Sequence, residues 1–472
     1  MQQKNGFEKW TGRWKAGGSM TERYLRSITA DYITGVVSAC EGIHGSLVLL
    51  NGPLGCRFYH SYAFGKNLIR ESELWGLRGQ LELSDAMDDR LVRSQYFAGT
   101  PQVPGSNLRY EDYIFGTGEQ LERALQDILA ERSYSMAVVI QTPGTSLMGE
   151  GLESLIQKTA EEFQTPSVFI ESPEFSTNSC VGYDETMVRL LKQFVEKKPE
   201  KKKTGTTVNL FGFYTYQQNL EGDREEIRRL LSLCGITVNC IAGADCTLES
   251  FRKIPEADLN ILCCPERCEK TGIYLKEVLK LPVYDAGGFP IGFDQTERFV
   301  KEISELLHTD CRPALEDIEK ARARAFYYIA RCLGPAGFPE ELRYAVEGES
   351  SVLCGYVDYL SRYLGIRPEA IRELPAKGSG SGGERLRRML KGMNAEEVLG
   401  RDLTRVDNAV ILGSAGTIME TFLHSQNVYG IETMGGAAEY IHVVPQTYLG
   451  STGALYLLEQ LINGNRMLKA WK

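Results

Sequence analysis

The chain has 472 residues, of which 43% are hydrophobic and 24% charged, an ordinary composition for a globular protein of two to four domains. The net charge of −9 argues against nucleic-acid binding, and no apolar run of roughly 18 residues or more is present to span a membrane. The polar N-terminus has no signal-peptide core, so we expect a cytoplasmic protein whose 12 cysteines are reduced thiols or metal ligands.

The first predicted strand ends in a cysteine turn. Apolar residues 47–50 indicate a buried strand, and the Gly-Pro-Leu-Gly turn at 52–55 delivers Cys56 to its carboxyl end. Open α/β sheets bind their ligands at this end, and a thiolate on a turn rich in backbone N–H groups is a good ligand for iron. The alternative is a buried, unreactive cysteine at the end of a strand.

Strands and helices then alternate along the chain. The apolar patterns predict further strands at 136–140, 167–170, 208–213, 236–241, 259–264 and 409–412. They predict helices at 119–130, 152–163, 185–197, 225–233, 270–279, 295–307, 315–332, 351–364 and 454–462. Asp223 is expected to cap the helix at 225–233, and Gly235 to end it.

This alternation predicts an α/β protein with three Rossmann-like domains. Each domain has a parallel sheet, with sites at the carboxyl ends of strands and in the domain clefts. We place the domains at 1–204, including an N-terminal extension, at 205–312 and at 313–472. The lysine-rich segment 197–203 is expected to be a solvated linker.

Motifs for nucleotide binding and hydrolysis are missing from the predicted elements. There is no GxxxxGK[ST] loop, and no GxGxxG is expected after a strand, since the Gly/Ser-rich segment 378–383 is expected to be a loop. ATP or NAD, if used, is therefore expected to bind to a partner. GxSxG and HExxH are also absent, which disfavours ordinary hydrolases and metalloproteases.

Seven segments in one order resemble those of nitrogenase component 1. They lie at 52–56, 112–121, 138–152, 172–184, 281–303, 343–365 and 448–463. The chain is similar to this superfamily, nearest to the β-subunit of the molybdenum–iron protein and to nitrogenase-like reductases. The resemblance implies an oxidoreductase subunit that relays low-potential electrons to a substrate or metal cofactor. The implied partners are a homologous component 1 subunit and a separate, ATP-dependent iron–sulfur reductase.

The resemblance also implies ligands for an iron–sulfur cluster at a subunit interface. Cys56 matches one cysteine of the family's P-cluster. The position of the first family cysteine falls on Asp31, with Cys40 nearby at a different offset. The third falls on Pro143, which cannot ligate a metal.

The family's serine ligand falls on Asn178, beside Cys180. Asp31, Cys40 and Cys180 are therefore candidate ligands beside Cys56. Because so few family ligands are kept, a [4Fe–4S] cluster shared between subunits is favoured over a complete P-cluster. Nitrogenase-like protochlorophyllide reductases have a four-iron cluster with one carboxylate ligand.

A second site is implied by the strand predicted at 259–264. The resemblance places Cys264 on the cysteine that holds the active-site metal cofactor, and His442 near the family's histidine ligand, with His424 as another candidate. A buried strand with inert cysteines is the alternative for Cys264, and a core or surface histidine for His442. This cleft would hold either a second metal cofactor or an organic substrate.

Two other functions fit the same resemblance. One is a scaffold protein for metallocluster assembly, and the other is a non-catalytic structural subunit of such a complex.

Overall fold

The structure is a computed structural model that describes residues 30–53, 56, 103–131, 133–171, 177–196, 205–332, 338–374, 381–425, 427–435, 440 and 442–470. All descriptions below refer to these residues. They form three parallel β-sheets flanked by helices.

The first unit contains a three-stranded parallel sheet of order β1-β2-β3. Its strands are β1 (Ser46–Asn51), β2 (Met136–Gln141) and β3 (Ser167–Ile170). Its helices are α1 (Tyr32–Cys40), α2 (Asp112–Phe115), α3 (Gly118–Glu131), α4 (Pro143–Ser146), α5 (Glu153–Glu162) and α6 (Ser179–Phe194). Leu47 and Leu49 pack with α3 and α5, whereas Val48 and Leu50 pack with α1 and α6. Both faces of β1 are therefore covered, which explains its continuous apolar sequence.

The second unit contains a four-stranded parallel sheet of order β5-β4-β6-β7. Its strands are β4 (Thr206–Phe211), β5 (Ile236–Ile241), β6 (Leu259–Leu262) and β7 (Val283–Asp285). Its helices are α7 (Leu220–Leu233), α8 (Leu248–Arg252), α9 (Glu269–Ile273) and α10 (Phe293–Leu307). A π-helical segment, Tyr274–Val278, continues α9.

The third unit contains a four-stranded parallel sheet of order β11-β10-β8-β9. Its strands are β8 (Arg343–Gly348), β9 (Arg367–Glu373), β10 (Ala409–Ser414) and β11 (Val428–Met434). The helices are α11 (Arg312–Cys332), α12 (Ser350–Val357), α13 (Ser381–Gly392), α14 (Ala415–His424) and α15 (Gly450–Ala470). One continuous hydrophobic core joins this unit to the second. No helix in the described ranges is both long and apolar enough to span a membrane.

The predicted α/β class with three parallel sheets is confirmed, but several element boundaries were wrong. The patterns missed β7, β8, β9 and β11. Helix α7 begins at Leu220, and its N-terminal flanking residue is Asn219. Asp223 therefore lies inside the first turn, where it is buried and accepts a hydrogen bond from Thr447 Oγ1 at 2.6 Å. Its carboxylate serves tertiary packing instead of capping.

The Gly/Ser-rich segment 378–383 also departs from expectation. Because β9 precedes it and α13 begins at Ser381, a GxGxxG spacing does follow a strand. A Cβ placed on Gly382 would lie 2.5 Å from a carboxylate oxygen of Glu266. A carboxylate in that position repels the negative charge of a pyrophosphate, so the local chemistry does not support dinucleotide binding.

Helices α1 and α6 make unusually close contact at their N-terminal ends. A Cβ on Gly35 would lie 2.0 Å from the carbonyl oxygen of Ser179, and one on Gly182 would lie 2.1 Å from that of Tyr32. Only glycine allows the two backbones to approach this closely. The two helices therefore begin side by side, with their N-termini at the same edge of the first unit.

Candidate functional site

Cys56 lies just beyond β1, at the carboxyl edge of the first sheet. Its backbone N–H donates to the carbonyl oxygen of Pro53 at 3.1 Å, and its side chain is partly buried. Burial and the nearby charge of Asp31 raise the pKa of the Cys56 thiol. Burial and then Cys56 in turn raise the pKa of Tyr113. The charge of Asp31 thus reaches the Cys56 thiol, and Cys56 in turn acts on Tyr113.

The N-termini of α1 and α6 meet beside this cysteine. Asp31 caps α1, and its Oδ1 accepts hydrogen bonds from Thr34 N at 2.8 Å and Thr34 Oγ1 at 2.7 Å. Asn178 caps α6, and Asp31 and Asn178 are joined by an isolated antiparallel bridge. Helix N-termini carry partial positive charge, so this edge favours an anionic group.

Pro143 begins α4 on the other side of the site. A Cβ on the adjacent Gly144 would lie 3.6 Å from the Tyr113 ring, so α4 packs close to Tyr113. Proline has no ligating side chain, and the described residues around Pro143 supply no substitute donor. Among the described residues of this edge, the candidate metal donors are therefore Cys56 and Asp31.

Cys40 does not join them. It ends α1, whereas Asp31 precedes that nine-residue helix, so the two are separated by about 13 Å along the axis. Cys40 is fully buried, and this burial raises the pKa of its thiol. The structure gives Cys40 the surroundings of a core residue.

Cys180 lies near the start of α6 but has different neighbours from Cys56. Burial raises the pKa of its thiol to about 12, while the charge of Arg267 opposes this shift and that of Glu349 adds to it. The same two charges act on Cys264. Cys180 therefore belongs to the interior between the three units.

Cys264 follows β6 in this interior and is 1% exposed. Its Sγ donates a weak hydrogen bond to Glu266 Oε2 at 3.5 Å. Glu266 also accepts from Ser351, at 2.7 Å from the backbone N and at 2.6 Å from Oγ. The space beside the Cys264 sulfur is therefore occupied by protein side chains.

A buried ion pair lies next to Cys264. Arg267 and Glu349 approach to 2.5 Å, with side chains only 4% and 8% exposed, and the guanidinium lies 3.7 Å from the centre of the Tyr214 ring. Neither residue was expected from the sequence. Their positions in the sequence could have indicated them, because Arg267 follows shortly after β6 and Glu349 directly after β8, and both strands are buried.

His442 lies in another part of the interior. Its Nε2 is 3.6 Å from Glu432 Oε2, and Glu432 also accepts from Gln218 Nε2 at 2.6 Å and Tyr440 N at 2.7 Å. Burial raises the pKa of Glu432, and His442 opposes that shift. The other candidate, His424, is the last residue of α14.

The two expected metal sites differ in the donors that the described residues provide. Within the described ranges, no three His, Cys, Asp or Glu side chains are grouped so as to hold a metal ion. At the first edge, Cys56 and Asp31 provide a thiol and a carboxylate, which fit part of a ligand set. Around Cys264, side chains fill the available space. No cluster of metal-binding side chains among the described residues includes both Cys264 and His442. The contacts there do not support a metal cofactor.

The family model described as "Nitrogenase component 1 type Oxidoreductase" matches residues 32–414. The chain belongs to this family. The match includes Cys56, Cys180 and Cys264, and it confirms the resemblance that the motifs indicated. Family membership makes the chain a relative of oxidoreductases.

Curated relatives match over part of their length. One subunit of the light-independent protochlorophyllide reductase of Pelodictyon phaeoclathratiforme is 29% identical over 44% of this chain and 38% of the relative. The corresponding subunit from Stigeoclonium helveticum is 24% identical over 44% and 42%. Nitrogenase iron-molybdenum cofactor biosynthesis protein NifE of Clostridium pasteurianum is 22% identical over 58% and 52%. The chain thus spans about two fifths to one half of these relatives.

A solved structure described as "Nitrogenase Cp1 at pH 6.5" has a similar fold over most of its length. The TM-score is 0.72 at 15% sequence identity, and the match covers 93% of each chain. At this identity the likeness concerns the fold. It places all three sheets of this chain in the nitrogenase component 1 architecture.

Proposed function

We propose that the chain is a subunit of a nitrogenase-like, ATP-dependent reductase complex. It receives low-potential electrons from a separate iron–sulfur reductase and relays them through an interface iron–sulfur cluster to a substrate. The observation that carries this proposal is the proximity of Cys56 and Asp31 at the carboxyl end of β1, beside the N-termini of α1 and α6.

Cys56 and Asp31 would hold one side of the cluster. A four-iron cluster normally takes four protein ligands, so the remaining ligands come from a homologous partner subunit. The bound cluster supplies one-electron transfer. The protein contributes fixed donors and two helix N-termini that favour negative charge. Because burial raises the pKa of Cys56, cluster binding must release a proton from its thiol.

An exposed apolar surface adjoins this edge. Its members are exposed large side chains on and around α2 and just after α4: Tyr110 78%, Ile114 59%, Phe115 86% and Leu147 75%. Tyr113, which neighbours Cys56, lies on the same helix α2. Exposed large apolar side chains near one edge favour a protein–protein contact, which supports a partner subunit at the cluster edge.

Iron analysis of the complex tests the cluster assignment. The chain should be co-expressed with its homologous subunit and purified without oxygen. Cys56→Ala should remove most of the iron, the sulfide and the cluster EPR signal while the complex stays folded. Cys311→Ala is a matched control, because Cys311 is also partly buried but precedes α11. Unchanged iron in the Cys56→Ala complex would exclude Cys56 as a ligand.

The scaffold function has its own support in the similarity to NifE, which covers 58% of this chain. Two assays separate the candidates. Substrate reduction that requires reductant, ATP and the iron–sulfur reductase identifies an enzyme subunit. Transfer of a bound cluster to an apo-enzyme, without such turnover, identifies a scaffold.

A further inference from the structure

Two cysteines lie opposite each other across a tight hairpin at the edge of the second sheet. β5 ends at Ile241, and Ile241 and Asp245 close the following turn as an antiparallel pair. Ile241 N donates to Asp245 O at 3.3 Å, and Asp245 N donates to Ile241 O at 2.9 Å. Cys240 and Cys246 are the next residues outward. They therefore occupy the adjacent pair, which has no hydrogen bonds of its own.

This position suits a disulfide. In such a pair the Cα atoms are about 4.5 Å apart and both side chains lie on one face, within the range of about 4.4–6.8 Å that disulfides require. Burial and then the side chain of Cys246 raise the pKa of Cys240. Both cysteines are free thiols in the structure.

We propose that Cys240 and Cys246 form a reversible disulfide when a low-molecular-weight disulfide, such as oxidised glutathione, oxidises them. The thiolate of Cys246, which is 4% exposed against 0% for Cys240, attacks the reagent and displaces one thiolate. The thiolate of Cys240 then attacks the Cys246 sulfur and displaces the second. Two protein thiols are oxidised, the reagent is reduced to two thiols, and these take up the two protons.

The hairpin is hydrogen-bonded to the first unit, so a disulfide within it would affect the contact between the first and second units. Cys246 N donates to Gly42 O at 3.2 Å, and His44 N donates to Cys246 O at 2.8 Å. A Cβ on Gly42 would lie 2.0 Å from the carbonyl oxygen of Gly243. A disulfide would fix the hairpin against which residues 42–44 are held. Since both sulfurs are buried, the exchange should be slow and should require local opening.

Peptide mapping of the intact chain tests the proposal. Anaerobically purified protein is incubated with oxidised glutathione, its remaining thiols are alkylated, and it is cleaved with trypsin and Asp-N. Cys234 and Cys240 then share one fragment, and Cys246 lies on the fragment that begins at Asp245. We expect the two fragments to become disulfide-linked and to separate after dithiothreitol.

Cys234→Ser is the matched control, because only Cys240 remains on the first fragment. The link should persist in Cys234→Ser and disappear in Cys240→Ser. If Cys240→Ser does not fold, the presence or absence of the link in Cys234→Ser still shows whether Cys240 is the cysteine that bonds to Cys246. A Cys246 fragment that carries only glutathione or the alkylating agent, after the reaction is complete, would overturn the proposal. So would a link that is lost in Cys234→Ser.

Discussion

The buried pair of Arg267 and Glu349 allows a quantitative test of the interdomain core. Arg267→Met leaves the Glu349 carboxylate, which is 8% exposed, without its cation and also removes the guanidinium from the Tyr214 ring. Loss of one partner from a buried pair costs roughly 3–5 kcal/mol. The free energy of unfolding should fall by about this amount, measured by urea denaturation with circular dichroism as the signal.

The double variant Arg267→Met/Glu349→Leu separates pairing from packing. Arg267 Nε has no hydrogen-bond partner among the described residues, so the native pair does not recover its full desolvation cost. We expect the double variant to lie within about 2 kcal/mol of the native chain, which means strong coupling between the sites. Arg312→Met, which breaks an exposed pair, should leave the unfolding midpoint unchanged. Additive losses in the double variant, or a loss below about 1 kcal/mol in Arg267→Met, would refute this reasoning.

Three further predictions concern other buried contacts. Burial raises the pKa of Asp223 to about 7, so the folded state holds the carboxyl proton more tightly than the unfolded state. The contribution of Asp223 to the free energy of unfolding should therefore fall by up to ~4 kcal/mol as the pH rises from about 4 to about 7. In urea titrations, Asp223→Asn should flatten this dependence of stability on pH. Gly182→Ala should lower the free energy of unfolding by ~1–3 kcal/mol because the added Cβ meets the carbonyl oxygen of Tyr32. An unchanged urea midpoint would show that α1 and α6 can move apart without loss of stability. Tyr183 OH lies 2.6 Å from Phe213 O and 2.9 Å from Ala242 O. Tyr183→Phe should therefore lower the free energy of unfolding by about 1–3 kcal/mol and speed amide exchange in the hairpin after β5. Equal exchange rates in the two proteins would show that the Tyr183 hydroxyl does not hold this hairpin.

A continuous apolar sequence made the first two strands predictable. β1 and β2 are buried on both faces, and their sequences show this directly. β8 was missed because Glu347 interrupts its apolar run. In the folded protein this carboxylate is 1% exposed and pairs with Arg372 of β9. A sequence pattern cannot anticipate charge neutralisation by a residue that is distant along the chain.

At the candidate site, too, local sequence predicted some features, whereas contacts between distant residues determine the others. The cysteine turn and the resemblance predicted Cys56 and Asp31 as ligands, and this stays a prediction, although the charge of Asp31 does reach the Cys56 thiol. They could not distinguish Cys180 from a cluster ligand, because its surroundings depend on how α6 meets the interior. Arg267 and Glu349 are 82 residues apart, and only tertiary packing reveals that they form a pair.

The glycine contacts between α1 and α6 have a consequence for any redox centre at their N-termini. Where side chains separate two helices, changes of rotamer can alter the spacing. Here Gly35 and Gly182 place backbone against backbone, so hard atomic radii set the distance. Asp31 and Asn178 are thereby held at a fixed separation. A group bound beside them would therefore meet two capping residues whose spacing does not depend on side-chain rotamers.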